Sequence, residues 1–291
     1  MEFKNILTGS DPYTVFAPLD SALQGVAFDK IEANTVASIF KYHLSREIKK
    51  FEGVVASEVI STLFEDPRFV HLPVGQTQNL ELSVVKRPIR QYQVSFGVGS
   101  ANVTTPDLPS SNGLLHVVNS VFTPPHYPSQ TLSALNLTDF LNFTNASQLA
   151  TSIDQLVGVT YFVPENSAWK FTNSSGQHPL SAKSEVDLIR YHVITPSLIF
   201  TQQMSNLDQY ITGSGENLTI RIRDGRIFVN NAIIKRGNII LNNGVLHVID
   251  RVLNSNFTLS SSRSEAITAH NTPIRSVYFL LVFLIWYLFR I

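Results

Sequence analysis

The sequence predicts an α+β fold built twice in tandem, each copy a compact mixed β-sheet wedge or sandwich with helices packed on one side. Three observations carry this expectation. The chain has 291 residues, and at roughly 100–200 residues per domain that is a prior of about two domains. Three sequence blocks recur in the same order. Within each copy a helical pattern comes first and strand patterns follow, which argues for α+β organisation rather than alternating βαβ units.

The first block is Thr14–Leu23 (TVFAPLDSAL), repeated at Thr160–Trp169 (TYFVPENSAW). Tyr13 to Phe16 is a β-branched and aromatic run suited to a buried strand. Pro18 ends it, and Asp20 or Ser21 stands where the cap of a following helix belongs, as Asn166 or Ser167 does in the repeat. The second block is Tyr42-His43-Leu44, repeated as Tyr191-His192-Val193. Val36, Ile39, Phe40, Tyr42, His43 and Leu44, and likewise Val186, Ile189, Tyr191, His192 and Val193, follow the i, i+3, i+4 spacing of a helix packed on a core. The third is Asn112–Phe122 (NGLLHVVNSVF), repeated at Asn243–Leu253 (NGVLHVIDRVL). Its Asn-Gly predicts a turn with positive φ, and the apolar run that follows predicts an internal strand. In the second copy, Asn217–Ile222 alternates, Asp224-Gly225 turns and Ile227–Val229 returns, a hairpin signature.

The three blocks are offset by 146, 149 and 131 residues, so the first copy holds about 18 extra residues between its Tyr-His pair and its third block, somewhere in Phe51–Pro109. The domains read as 1–125 and 126–257, joined through the proline-rich Thr123–Ser129 (TPPHYPS), a short stiff linker. A polar Ser/Thr stalk (258–276) and a hydrophobic tail (277–291) follow. Only twelve residues precede Tyr13.

Composition excludes several functions. Lysine plus arginine (22) equals aspartate plus glutamate (22), so no overall field favours nucleic acid, and none is expected as a partner. With no cysteine there are no disulfides, thiol nucleophiles or thiolate metal sites. No Gly-x-Ser-x-Gly elbow, His-Glu-x-x-His helix or phosphate-cradling glycine loop occurs. The eight histidines fall at four repeat-equivalent positions (His43, His192, His116, His247) and four scattered ones. No catalytic residue, metal site or cofactor is expected. Lys86, Arg87 and Arg90 form one basic cluster, read as a solvated loop or strand edge, with contact to acidic glycans or a membrane surface as the alternative.

Seven sequons, at Asn102, Asn136, Asn142, Asn145, Asn173, Asn217 and Asn256, are candidate N-glycosylation sites. Val277–Phe289 (VYFLLVFLIWYLF) is shorter than the roughly 20 apolar residues a bilayer helix needs. It matches the hydrophobic end of a glycolipid-anchor (GPI) signal, with Ser264, or in the competing frame Ser262, as the attachment site. A short tail-anchor or a buried segment is the other reading. Met1–Asp11 lacks the basic start and apolar run of a secretory signal, so the compartment read from the rest places that signal upstream.

On these boxes the chain resembles the fasciclin domain family, in which TVFAP-type and NGVIHVID-type boxes bracket a central Tyr-His pair. The resemblance covers about Tyr13 to Leu253 in two copies, and because domains of the family begin a helix or two before the first box, it implies that the first copy is N-terminally truncated. It implies a non-enzymatic, glycosylated adhesion or matrix-interaction module, cell-surface or extracellular and membrane-anchored, whose partner is a cell-surface or matrix protein or glycan. It also marks Tyr42, His43, Tyr191 and His192 as candidate interaction residues, against the plainer reading that they are packing. The alternative function is binding of a lipid or other apolar small molecule in a cleft within or between the domains.

Overall fold

Each copy curls a seven-stranded sheet so that its first and last strands lie side by side in parallel, and this pairing is what the first and third sequence blocks encode. The computed structural model describes residues 6, 8–87, 89–169 and 185–254. The stalk, the tail, Asn173, Asn256, Ser262 and Ser264 lie outside them. In copy one the strands are β1 (Tyr13–Pro18), β2 (Leu44–Ser45), β3 (Ser57–Ser61), β4 (Asn79–Arg87), β5 (Ile89–Phe96), β6 (Gly99–Ser110) and β7 (Gly113–Val118), with helices α1 (Asp20–Gln24) and α2 (Ala33–Tyr42) between β1 and β2. Copy two opens with helices α3 (Pro128–Ala134), α4 (Thr138–Ala146) and α5 (Ala150–Gln155). It continues through β8 (Val159–Pro164), α6 (Glu185–Tyr191), β9 (Val193–Ile194), β10 (Gln209–Ile211), β11 (Asn217–Arg223), β12 (Arg226–Val229), β13 (Ala232–Leu241) and β14 (Gly244–Ile249).

The sheet orders are β2-β1-β7-β6-β5-β4-β3 and, position for position, β9-β8-β14-β13-β12-β11-β10. The register repeats as well: Phe16 stands opposite His116 across β1/β7, and Phe162 opposite His247 across β8/β14. Every other pairing among the described residues is antiparallel. The extra length of copy one lies mainly in the β3–β4 connection, residues 62–78, whose counterpart is only residues 212–216. The Asp224-Gly225 hairpin forms as its sequence predicts, with φ of 51° and 70° at the two turn residues.

The core of copy one is aromatic, gathering Phe16, Tyr42, Phe51, Phe64, Phe96 and Phe122. Copy two divides its core. Phe162 and Tyr191 pack with aliphatic residues on one side of the sheet, while Leu132, Leu137, Phe140 and Ile153 from the α3–α5 region cover Val159, Tyr161 and Val163 on the other.

Three local expectations give way to packing. Neither Asp20 nor Ser21 caps α1: Leu19 occupies that position without a side-chain bond, and Asp20 sits in the first turn, where a negative charge favours the helix dipole. Asn166 turns outward from its own helix start, its Oδ1 accepting from the Asp139 N–H (3.1 Å) and its Nδ2 donating to the Asn136 carbonyl (2.8 Å), while Ser167 donates to Glu165. Phe40 leaves the core stripe and is 47% exposed, whereas its counterpart Ile189 is buried beneath α4. Finally, Gly244 does not adopt the positive φ expected of an Asn-Gly turn, although Gly113 does (φ 152°). What both need is the absence of a side chain, because a Cβ at Gly244 would overlap the Val159 carbonyl oxygen and one at Gly113 the Tyr13 oxygen.

Candidate functional site

The Tyr-His pairs stand at the point where the three repeated blocks meet. Helix α2 ends at Tyr42, and His43 follows as its C-cap residue. The His43 backbone carbonyl accepts from the Phe16 N–H of the first block (2.9 Å). Its ring Nδ1 faces the Ile39 carbonyl (2.9 Å), and Nε2 accepts from the Phe122 N–H at the end of the third block (3.0 Å). Copy two repeats each bond: Phe162 N–H to the His192 carbonyl (2.9 Å), His192 Nδ1 to the Leu188 carbonyl (2.8 Å), and Leu253 N–H to His192 Nε2 (3.0 Å). Since a backbone N–H can only donate, Nε2 must carry the lone pair and Nδ1 the proton, so both rings are neutral with the tautomer set by their partners. Tyr42 donates to the Asn79 carbonyl (3.0 Å) and Tyr191 to that of Asn217 (3.1 Å), which pins the end of each helix to the start of β4 or β11.

All four side chains are inside the protein: Tyr42 and His192 have no exposure, Tyr191 is 3% exposed and His43 4%. His43 stacks on Phe122 at 4.2 Å between ring centres. Surface contact is therefore not what these residues offer as they stand. Their chemistry is spent on tying first block, helix end and third block together.

His116 and His247 form a second repeated knot with the opposite tautomer. Nε2 of His116 faces the Lys49 carbonyl (2.9 Å) and that of His247 the Ile199 carbonyl (2.8 Å). Their Nδ1 atoms accept from the N–H groups of Asp107 (3.0 Å) and Asn238 (3.3 Å). Asp107 (φ 58°) and Asn238 (φ 56°) sit in irregular stretches of β6 and β13, in the left-handed conformation that Asn and Asp tolerate best. Their side chains then cap the next turn: Asp107 accepts from the N–H of Phe51 (2.8 Å) and Glu52 (3.0 Å), and Asn238 Oδ1 from that of Thr201 (2.9 Å). Neither residue stands out in the sequence. The available signal is that each precedes its histidine by nine positions, in the same offset as the third block.

Burial sets the protonation of these rings. Loss of hydration pushes His43, His192 and His247 down from 6.5 to about 4, and lowers His116 as well. An unfolded histidine titrates near 6.5, so between the two values the unfolded chain binds more protons than the folded one. Stability from His43, His192 and His247 is complete above about pH 6.5 and is lost as the pH falls toward 4, by up to about 3 kcal/mol per ring, and His116 acts in the same direction. Urea midpoints are accordingly expected to fall steadily from pH 7 to pH 4.5; a flat profile across that window would contradict the burial described. Asp66 answers to a lower window, because hydrogen bonding to Arg68 holds its carboxyl well below the usual carboxylate range.

Among the described residues, no group of three or more histidine, aspartate or glutamate side chains is placed to hold a metal ion. Asn102, Asn136, Asn142, Asn145 and Asn217 are all exposed. In the basic cluster, Arg90 donates to the Val54 carbonyl (2.8 Å) and lies over the Tyr92 ring.

The fold and its internal knots thus define a tandem α+β module whose repeated tyrosines and histidines are buried and hydrogen-bonded within the protein. The Fasciclin domain model matches residues 1–124 and 135–255, and the chain belongs to the fasciclin domain family. It is 26% identical over 264 residues to a fasciclin-like arabinogalactan protein of Arthroderma benhamiae, covering 88% of this chain and 61% of that one. It is 33% identical over 156 residues to periostin of Homo sapiens, covering 48% of this chain and 18% of periostin. Fasciclin-1 of Schistocerca americana is 22% identical over 280 residues, with 86% and 40% covered. The chain thus matches less than two thirds of the length of each of these three relatives. Among solved structures, a FAS1 domain pair from the insect cell adhesion molecule Fasciclin I aligns over 86% of this chain and 91% of its own, at 16% identity and a TM-score of 0.41.

Proposed function

We propose that this chain is a non-enzymatic extracellular adhesion or matrix-interaction module, held at the cell surface through its C-terminal segment. The observation that carries the reading is the consumption of the repeated chemistry-bearing residues. In both copies the tyrosines and histidines that stand out in the sequence are buried and hydrogen-bonded within the protein. Recognition therefore falls to the outer surface, where five sequons are exposed. Membership of the fasciclin domain family supports the same class of function. Partners on this reading are proteins or glycans of cell surfaces or matrix. No helix among the described residues is long and apolar enough to cross a membrane, so attachment on this reading rests on the tail, as a glycolipid-anchor signal with Ser264 or Ser262 accepting the lipid.

Two measurements test this. Replacing Leu280–Leu284 with polar residues in the full chain is expected to shift it from the cell surface to the medium; unchanged retention counts against the anchor. Suspension cells displaying the chain are expected to aggregate, or to settle on matrix-coated plates, above vector controls. Display without adhesion to either would overturn the adhesive reading.

A further inference from the structure

The repeat is broken at one atom. Asp107 and Asn238 occupy the same place in their copies, with the same backbone conformation, the same bond to a histidine Nδ1 and the same capping task. Asp107 spends both carboxylate oxygens on its own copy, on Phe51 and Glu52. Asn238 needs only its oxygen for the cap and carries an amide nitrogen instead of the second oxygen. That nitrogen lies 2.8 Å from Thr201 Oγ1 and donates across to copy one, to Oε1 of Glu81 on β4 (2.9 Å).

The surroundings are those of a docked interface. Gln78 Nε2 donates to the Leu241 carbonyl (3.0 Å), and the His71 N–H donates to that of Asn242 (2.7 Å), both from the segment 62–78 that is shortened to residues 212–216 in copy two. Val59 of copy one packs into the cluster of Phe200, Ile240 and Val245. The backbones approach so closely that a Cβ at Gly97 would lie 2.8 Å from the Ile240 oxygen. Desolvation there raises the Glu81 carboxyl above its ordinary value, against the opposing effects of Asn238, Ser57 and Arg236.

We propose that Asn238 is the residue that locks the two copies into one body: the change from a carboxylate to an amide at the repeated cap supplies a donor that bonds across to Glu81 in addition to Thr201 and Gln202 of its own copy. A carboxylate at this position would face Glu81 with like charge in a partly desolvated contact, where such pairs repel. The lock presents the two outer surfaces in one fixed relation, whatever partner they meet.

The test is amide hydrogen exchange on the full chain near pH 8. Asn238→Asp keeps an oxygen for the Thr201 cap, as Asp107 does for its own turn. It is expected to speed exchange at the His71 amide, which donates to the Asn242 carbonyl across the contact, by about tenfold or more, while Leu253 and Phe122, which report the two histidine knots, stay protected. Adding Glu81→Gln, whose amide can donate to the carboxylate introduced opposite it, is expected to restore slow exchange. Unchanged exchange in Asn238→Asp, or no rescue in the double variant, would overturn the proposal. Should Asn238→Asp also expose Leu253, Glu81→Ala decides: it leaves the cap untouched and is expected to speed exchange of the His71 amide several-fold. Unaltered exchange there would equally refute the lock.

Discussion

Gly244→Ala is expected to cost copy two its fold. The glycine opens β14 and stands opposite Val159 in the parallel pair with β8. An added Cβ would overlap the Val159 carbonyl oxygen and lie 2.8 Å from its carbonyl carbon and 2.9 Å from its nitrogen. These are backbone atoms of a buried strand, so no rotamer change relieves the overlap, and the two strands must separate. Separation breaks a register of six residue pairs and opens the core on both faces of β8. A loss above about 4 kcal/mol is the consequence, in the range reserved for such failures. Were the glycine present only for a left-handed turn, the strain would be about 1 kcal/mol. Gly53→Ala is the control, since a Cβ there meets nothing within 4 Å. Thermal unfolding followed by near-UV circular dichroism separates the two readings, and a Gly244→Ala melting temperature close to the parent's would refute the close-approach account.

His192→Ala is expected to destabilise by about 3–5 kcal/mol. It leaves the Leu253 N–H without an acceptor and the Leu188 carbonyl without a donor, each worth about 1–3 kcal/mol when buried and unsatisfied. It also empties the space of a ring with no exposure beside Phe140. For a folded unit of this size the melting temperature should fall by roughly 10 °C. The His43→Ala change removes the matching bonds in copy one and should act alike. Any loss of adhesion in these variants is expected to track the folded fraction on the cell surface. Weakened adhesion at an unchanged melting temperature would instead make the Tyr-His region a contact site.

Much of the architecture is legible in the sequence because it is local or repeated. The duplication, the Asp224-Gly225 hairpin and the helix ending at each Tyr-His pair follow from spacing along the chain. So does the burial of His43 and His192 at the end of that helical stripe. The caps expected at Asp20 and Asn166 are misplaced, because Leu19 takes the entry to α1 and Asn166 is drawn to Asn136 and Thr138 by helices that pack beside it. The junction Thr123–Ser129 reads as a spacer, yet the His126 carbonyl accepts from the Asn242 N–H (3.1 Å) and Pro125 is buried. A proline-rich segment looks the same in sequence whether it spans solvent or is packed between neighbours.

The sequence by itself determined that there are two copies, that each is α+β, and which family they belong to, since those properties are written in periodicity and in blocks that recur in order. Only the tertiary structure decided what the blocks are for. Phe16, His43 and Phe122 are far apart in sequence and become one hydrogen-bonded knot when the chain closes on itself. The same holds for Asn238 and Glu81, 157 residues apart. A single exchanged atom in a side chain has no sequence period, and its meaning appears when folding places an acceptor within hydrogen-bonding reach of it.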